Sequence, residues 1–549
     1  MNRTFFLVSA LAAGLTLSSC ETANQDFSGV DTRQSLKGLV VDGRVAGGTV
    51  WVDSDDDLEI DSTEPYATTD SQGYYGYNPN TKTQYCELSA SEIGYEHCLV
   101  YGNSIGALTI RIKGGTDLGT GEKLKGLMAM FSSISESSSL GDDGQMLVLS
   151  PLTTLLSGIV DQQDLDAMKA VLGIDSVDDL SLDFSTADSD KTKKLLANAV
   201  AVQTMMDVIL SATDSTASDS ELQIKILKKI TDSIISTGKA PLDFDTATIK
   251  DLVAEVSTDP DQQDIVSERV TKLNSLNKKI ATAPTPEAAY AQIKASEVIS
   301  KLVKLEADGT PAQKAAALKI LGAVDGEDIA NLSLELAAKL LQSDTPSEGD
   351  EFEFDITSIT NSLVVLGEAA GDEDWDITDL DTVVEQSKLA TGTQWGGSWF
   401  VVRATAEDSD ELTVGSYLAV RLEGAADATS GQLAMCANTS LADSTDPDET
   451  FENEYFGGSW SKLNGGMVIL NLTYNGQNLE GRMKAKVATT DQGQPLYRLE
   501  TDIDGVTENG DMVLDVNGVS ALENVSKPTS SLDCLNNVKP VIPAWSDIA

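Results

Sequence analysis

Histidine is almost missing from this chain: its 549 residues carry one, His97. That excludes most imidazole-based catalysis and any zinc site built on two or three His ligands. Basic residues are scarce as well. Lys and Arg number 38 against 87 Asp and Glu, giving a formal net charge of −49. A phosphate backbone is held by clustered cations, so nucleic acid is not an expected partner. Past the first twenty residues no run approaches the ~18 apolar residues of a membrane helix. A phosphate loop is lacking too, because Gly43-Arg44-Val45-Ala46-Gly47-Gly48 has neither the Gly-Lys-Ser/Thr ending nor a following helix start. What is present is ordinary globular material, 41% apolar, enough for roughly three or four domains of ~150 residues.

Arg3 is followed by an uncharged apolar stretch from Phe5 to Leu17, too short to span a bilayer as a mature helix and typical of a secretory signal. Its end, Leu17-Ser18-Ser19-Cys20, resembles a bacterial lipobox. The resemblance implies that residues 1–19 are a lipoprotein signal peptide and that Cys20 is lipidated and becomes the N-terminus. It also implies that the chain joins a membrane through that lipid. Glu21 stands where lipoproteins retained at the inner membrane usually have Asp, so the expected location is the outer membrane, facing the periplasm or the exterior. Residues 20–34 are polar and aperiodic, as a flexible tether would be.

Four cysteines then remain, and an oxidising envelope lets them pair completely. The most economical arrangement joins Cys86 to Cys98 and Cys436 to Cys534, each within one region. Neither pair has the C-x-x-C spacing that sets two thiolates on one metal ion.

From Leu36 the sequence changes to short β-type runs punctuated by glycine: Leu39-Val40-Val41, Thr49-Val50-Trp51-Val52, Gly73-Tyr74-Tyr75 and Leu108-Thr109-Ile110-Arg111-Ile112. A small antiparallel sandwich over 35–115 is predicted. Between its strands runs Asp53-Ser54-Asp55-Asp56-Asp57-Leu58-Glu59-Ile60-Asp61-Ser62-Thr63-Glu64. Asp53, Asp55, Asp57, Asp61 and Glu64 fall at loop positions 1, 3, 5, 9 and 12, a spacing that curls carboxylates around one Ca²⁺, with Glu59 adding its carbonyl. The departure is Leu58, where such a loop wants glycine for its sharp turn. Calcium is the expected cofactor, in a structural role.

The run Gly38 to Val50, the acidic loop, Thr68-Thr69-Asp70 and Gly73-Tyr74-Tyr75 together resemble carboxypeptidase-regulatory-like and bacterial surface-protein B-type sandwich modules. This resemblance covers about 80 residues and implies a scaffold, a spacer or adhesive stalk whose acidic loop often binds calcium, without a catalytic role. Gly114-Gly115-Thr116-Asp117, Thr120-Gly121 and Ser150-Pro151-Leu152-Thr153-Thr154-Leu155-Leu156 are similar to a segment that often follows such sandwiches in envelope proteins.

Residues 116–343 are expected to form an all-α domain. Leu195, Ala199, Val202, Met206 and Ile209 step by three or four, as do Val266, Val270 and Leu273. Breaks are predicted at Gly238-Lys239-Ala240-Pro241, Pro260, Pro284-Thr285-Pro286 and Gly309-Thr310-Pro311. Met205-Met206 reads as core. An acidic linker with short helices is expected over 344–392, then an antiparallel β barrel or sandwich over 393–549. Asn475-Gly476 reads as a type I′ hairpin turn. Gly397-Ser398-Trp399, repeated as Gly458-Ser459-Trp460, resembles the opening of lipocalin-like barrels, and both tryptophans are expected in the core.

The sequence thus predicts a multidomain α+β chain: a small N-terminal β-sandwich, a central helical domain and a C-terminal antiparallel β domain. The function expected is that of an envelope-anchored, calcium-stabilised lipoprotein with a structural, adhesive or binding role. Its partner would be an extracellular glycan or an envelope protein. The alternatives are a glycan hydrolase using two carboxylates, although nothing among so many acids selects a pair, and a small-ligand carrier using the C-terminal β domain. A Ser or Cys nucleophile would lack its base, since His97 sits beside Cys98.

Overall fold

The structure, a computed structural model, describes residues 34–538, leaving out 102–106, 134–145, 212–218, 323–331, 341–353, 370–379, 404–416, 440–451, 514–518 and scattered short loop positions. The signal segment, Cys20 and the tether therefore lie outside the described residues, as do Asn475-Gly476 and the acidic stretch Asp344 to Asp350. The chain divides into two compact units, Thr32–Ser387 and Lys388–Ala549.

The first unit opens with a sandwich of short strands. These are β1 (Gln34–Leu36), β2 (Gly38–Val40), β3 (Val45–Ala46), β4 (Thr49–Asp53), β5 (Tyr66–Thr68), β6 (Tyr74–Tyr75), β7 (Tyr77–Asn78), β8 (Thr83–Gln84) and β9 (Leu99–Tyr101). They continue through β10 (Ala107–Lys113), β11 (Thr116–Asp117), β12 (Leu127–Ser133) and β13 (Leu147–Leu149). One sheet has the order β12-β10-β4-β5, and a second has the order β13-β2-β6. Along β4 and β10 the β-branched and aliphatic residues alternate, so that Val50, Val52, Leu108, Ile110 and Ile112 all enter one core with Val40, Tyr75 and Leu149.

Strands thus run past residue 115. Strand β12 pairs antiparallel with β10, and β13 pairs parallel with β2 across more than a hundred residues of chain. The β13-β2-β6 sheet is a shared wall: Leu147, Leu149 and Val40 face the sandwich core, while Leu39, Val41, Tyr74 and Val148 face the helices. The stretch Ser150 to Leu156 makes the join. Helix α1 (Pro151–Ser157) is capped by Ser150, whose Oγ accepts from Thr153 N at 3.1 Å. Thr154 Oγ1 accepts from Ala129 N at 2.9 Å and Thr153 Oγ1 donates to Ala129 O at 3.3 Å. The helix thereby covers the edge strand β12 with hydrogen bonds that the edge would otherwise leave unmade.

Helices α2 (Gln162–Leu172), α3 (Asp190–Ser211), α4 (Asp219–Thr237), α5 (Thr246–Val253), α6 (Pro260–Ala281), α7 (Pro286–Asp308) and α8 (Pro311–Gly322) follow. The predicted proline breaks are helix starts: Pro260 and Pro286 each occupy the first turn behind the capping residues Asp259 and Thr285, where a missing N–H loses no bond. Thr310 and Gln313 cap α8 reciprocally. Met205 and Met206 are core. The expected linker is partly core as well, since α9 (Ile356–Ala369) buries Ile356, Ile359 and Leu363 among the helices, and α10 (Leu380–Ser387) follows. Its apolar spacing is helical but lies between two strongly acidic stretches.

The second unit is an eight-stranded antiparallel meander, β14 (Trp399–Arg403), β15 (Tyr417–Leu422), β16 (Ser430–Thr439), β17 (Glu452–Leu463), β18 (Met467–Tyr474), β19 (Gln477–Thr489), β20 (Pro495–Ile503) and β21 (Val506–Val513), in sequence order. Flat, β14 and β20 would stand about 29 Å apart at ~4.8 Å per strand. Yet the rings of Phe400 and Tyr497 approach to 5.7 Å, and those of Trp395 and Tyr497 to 5.9 Å. The sheet therefore curls about this face, which Trp395, Phe400, Trp460, Leu470 and Met483 pack. On the opposite face Trp399, Val401, Ala419 and Cys436 meet Cys534 and Val538, where helix α11 (Ser531–Asn537) is held. Strand β17 carries the second Gly-Ser-Trp stretch, Gly458-Ser459-Trp460, in its middle. Its Gly458 lets the strand pass close to β18, since a Cβ there would stand 1.9 Å from Asn471 O.

Both expected disulfides are present. Cys86–Cys98 spans 12 positions and Cys436–Cys534 spans 98, with Cα separations of 4.7 and 5.6 Å.

Candidate metal centre

The acidic loop leaves the end of β4 and returns at β5. Strand alternation puts Trp51 and Asp53 of β4 on the same face as Arg111 of β10, which stands opposite Trp51 in the register. The Arg111 guanidinium reaches diagonally to Asp53 through Nε and to Asp56 through Nη2. Asp53 is buried, and Arg111 is 8% exposed. The sequence held a signal for this partner that the loop's own spacing does not show: a lone arginine inside an apolar strand, on the face away from the core.

Within the loop the carboxylates organise the backbone. Asp53 Oδ1 accepts from Asp56 N at 2.7 Å, and Asp57 Oδ1 from Glu59 N at 2.9 Å. Glu64, also buried, ties the end of the loop to its start: Oε1 accepts from Ser54 N at 2.6 Å and Oε2 from Asp61 N at 3.2 Å. Carboxylate oxygens of Asp53, Asp55 and Asp57 lie within 4.8 Å of one another, a spread that one Ca²⁺ with 2.3–2.6 Å bonds can bridge. Asp61 and Glu64 fall outside that group, and Glu59 is an exposed residue whose N–H is used within the loop. Asp55 titrates above its ordinary value, first through lost hydration and then through the negative charges of Asp57, Glu64 and Asp61. Leu58 takes φ +73° and Asp56 φ +62°, so the chain makes the turn for which glycine was missed, in a left-handed conformation that side chains resist.

The Thr68-Thr69-Asp70 stretch is a structural hub. Asp70 Oδ1 accepts from the N–H groups of Gln72 and Tyr74, and Oδ2 from Asn78 Nδ2 and the Tyr85 hydroxyl. Thr69 Oγ1 accepts from Gly48 N at 2.9 Å and donates to Val45 O at 2.7 Å. His97, next to the Cys86–Cys98 bridge, has Nδ1 2.8 Å from Thr68 O and its ring edge-on to Tyr85 at 4.9 Å. These contacts brace the disulfide loop against β5 and give the histidine a packing role.

No helix among the described residues is long and apolar enough to cross a membrane. No protein-family model, curated protein or solved structure matches the chain.

Proposed function

We propose that this chain is an outer-membrane lipoprotein, anchored through Cys20, in which a calcium-stabilised β module and its attached helices carry a structural, adhesive or binding surface. The observation that supports it is the loop itself: three carboxylates within 4.8 Å of one another on the segment that joins β4 to β5. The two disulfides fit an oxidising envelope. The partner proposed is an envelope protein or an extracellular glycan. The carrier reading has less support, because the concave face of the C-terminal sheet is packed with Trp395, Phe400 and Trp460.

The test is a melting curve of the full chain with millimolar CaCl₂ and with chelator, for the wild type and for Asp55→Asn/Asp57→Asn. Those two carboxylates are exposed, and Arg111 is held by Asp53 and Asp56 rather than by them. A calcium-dependent rise in the wild type that the variant loses supports the reading, and curves that ignore calcium overturn it. Labelled palmitate entering the wild type but not Cys20→Ala tests the anchor separately.

A further inference from the structure

In the first unit the turn between β2 and β3 meets the single turn Phe184–Thr186 and the first turns of α7 around a cleft, which leaves about 270 Å³ to the centres of water molecules. Its walls are fixed by contacts of their own. Gly43 takes φ +99° and has no room for a Cβ, which would stand 2.0 Å from Asp117 Oδ1. Arg44 follows at φ +60°, a left-handed conformation that side chains resist, and its carbonyl accepts from Leu118 N at 2.8 Å. Across the cleft the Tyr290 hydroxyl donates to Ser185 O and ties α7 to the Phe184–Thr186 turn, which Ala187 ends at φ +48°. Arg44 and Ala187 are two of the five non-glycine residues with positive φ among the described residues. Such backbone persists where the surroundings over-determine it, and it gathers at ligand sites.

The polar side chains that line the cleft divide by what they offer. Arg44 and Lys294 only donate, Glu287 only accepts, and the Thr186 hydroxyl does both. Arg44 is held by groups that do not line the cleft. Its Nε and Nη2 donate to Asp183 Oδ2 at 2.8 and 2.5 Å, and its guanidinium carbon stands 5.7 Å from the centre of the Tyr74 ring. Lys294 is 4% exposed, with Nζ 5.6 Å from the centre of the Phe354 ring. One cation is ion-paired and the other lies over an aromatic ring, so neither calls for an anionic ligand. Glu287 is exposed. Pro286, Ala291, Leu340 and the Tyr290 ring add apolar surface among these groups.

We propose that this cleft binds one neutral sugar ring, the end of a glycan chain. A sugar hydroxyl donates and accepts at once, so it can join a side chain that only donates to one that only accepts while Arg44 keeps Asp183. The C–H face of the ring covers apolar surface that a wholly polar ligand would leave wet. Size limits the occupant, since the volume falls short of the ~300 Å³ at which pockets for drug-sized ligands begin. The proposal rests on the glycan partner of the reading above but not on its calcium, because no residue of the Asp53 to Glu64 loop lines the cleft. A ring of about a dozen non-hydrogen atoms at ordinary ligand efficiency binds with a Kd on the order of 1 mM.

The experiment is saturation-transfer difference NMR on the full chain in chelator. The probes are glucose, galactose, mannose and N-acetylglucosamine, each also as its methyl glycoside, with galacturonate as the charged comparison. Transfer to at least one neutral sugar is expected, and its methyl glycoside should keep it. Ala291→Leu, which adds an isopropyl group to the apolar surface, and Arg44→Lys, which loses the guanidinium fork, should each weaken binding about tenfold. Glu287→Ala, at an exposed position, should weaken it severalfold and decides alone if the other two do not fold. Asp55→Asn/Asp57→Asn should bind the sugar as the wild type does. No transfer to any neutral sugar, transfer to galacturonate alone, a methyl glycoside that does not bind, or an affinity that every folded cleft variant leaves unchanged would overturn the proposal. Binding lost with Asp55→Asn/Asp57→Asn would overturn it too, by moving the sugar to the loop. The calcium melting curves are a separate readout, so either reading can fail while the other stands.

Discussion

The two β regions treat buried charge in opposite ways. In the C-terminal sheet Glu500 is 2% exposed and has two cations in contact, Lys484 at 2.7 Å and Arg482 at 2.8 Å, themselves 1% and 4% exposed. The register places Arg482 opposite Glu500 and Lys484 opposite Arg498, so neighbouring strands carry the counter-charges and the charge balance is internal. In the N-terminal module one arginine serves Asp53 and Asp56, while Asp55, Asp57, Glu59 and Asp61 share the same loop and form no ion pair among the described residues. At Glu500 the sheet's own strands supply the counter-charges. In the loop like charges lie close together, and a bound cation would relieve their repulsion.

The largest expected effect comes from the covalent half of this contrast. Cys436–Cys534 closes a loop of about a hundred residues and Cys86–Cys98 one of about a dozen, so in the chain-entropy model the first stabilises by about 4 to 5 kcal/mol and the second by about 3. Cys534→Ser should lower the denaturant midpoint of the C-terminal unit more than Cys98→Ser lowers that of the first. Trp395, Trp399 and Trp460 fluorescence can follow the C-terminal unit. Equal shifts would show that strain or residual structure in the unfolded chain, rather than loop length, sets the scale.

Next is Glu500→Gln. Removing one member of a buried charge group leaves its partners desolvated without that counter-charge, a loss of about 4 kcal/mol. The matched change in the loop, Asp57→Asn, should be near neutral or mildly stabilising without calcium, because it removes repulsion at an exposed position. Chemical denaturation of both variants in chelator checks the opposite signs, and two losses of similar size would break the comparison. Calcium itself ranks third. At ten times its Kd it should stabilise the first unit by about 1.4 kcal/mol and leave the C-terminal unit unmoved.

The sequence disclosed those features whose causes are local. Pro260, Pro286 and Pro311 marked helix ends because a fixed φ and a missing N–H act on their own neighbours. Trp399 and Trp460 were legible as core from size alone. Strand β13 was not, since its partner β2 lies over a hundred residues upstream and a parallel pairing of that reach leaves no local trace. The loop's carboxylate spacing was visible, and the lone Arg111 of its strand was a signal too, but not one that named the loop as its partner. That depends on which strand lands opposite, and it is β10 that pairs with β4, in register from Thr49 to Asp53.

The smallest effect expected is at Leu58, and it separates the geometry of the loop from its charge. A side chain at φ +73° carries about 1–2 kcal/mol of left-handed strain. Leu58→Gly relieves it but frees the unfolded chain by about 0.5–1 kcal/mol, so the apo protein should gain between nothing and about 1.5 kcal/mol. The calcium response should change more than the apo stability does, since glycine keeps the left-handed turn without strain while the carboxylates of Asp53, Asp55 and Asp57 draw in around an ion. Titration calorimetry of the variant against the wild type should then show tighter binding with little change in the chelated melting point. Equal affinity would mean that Leu58 already turns the loop as far as the ion requires, and that the Arg111 contact to Asp53, rather than the turn, limits how tightly calcium is held.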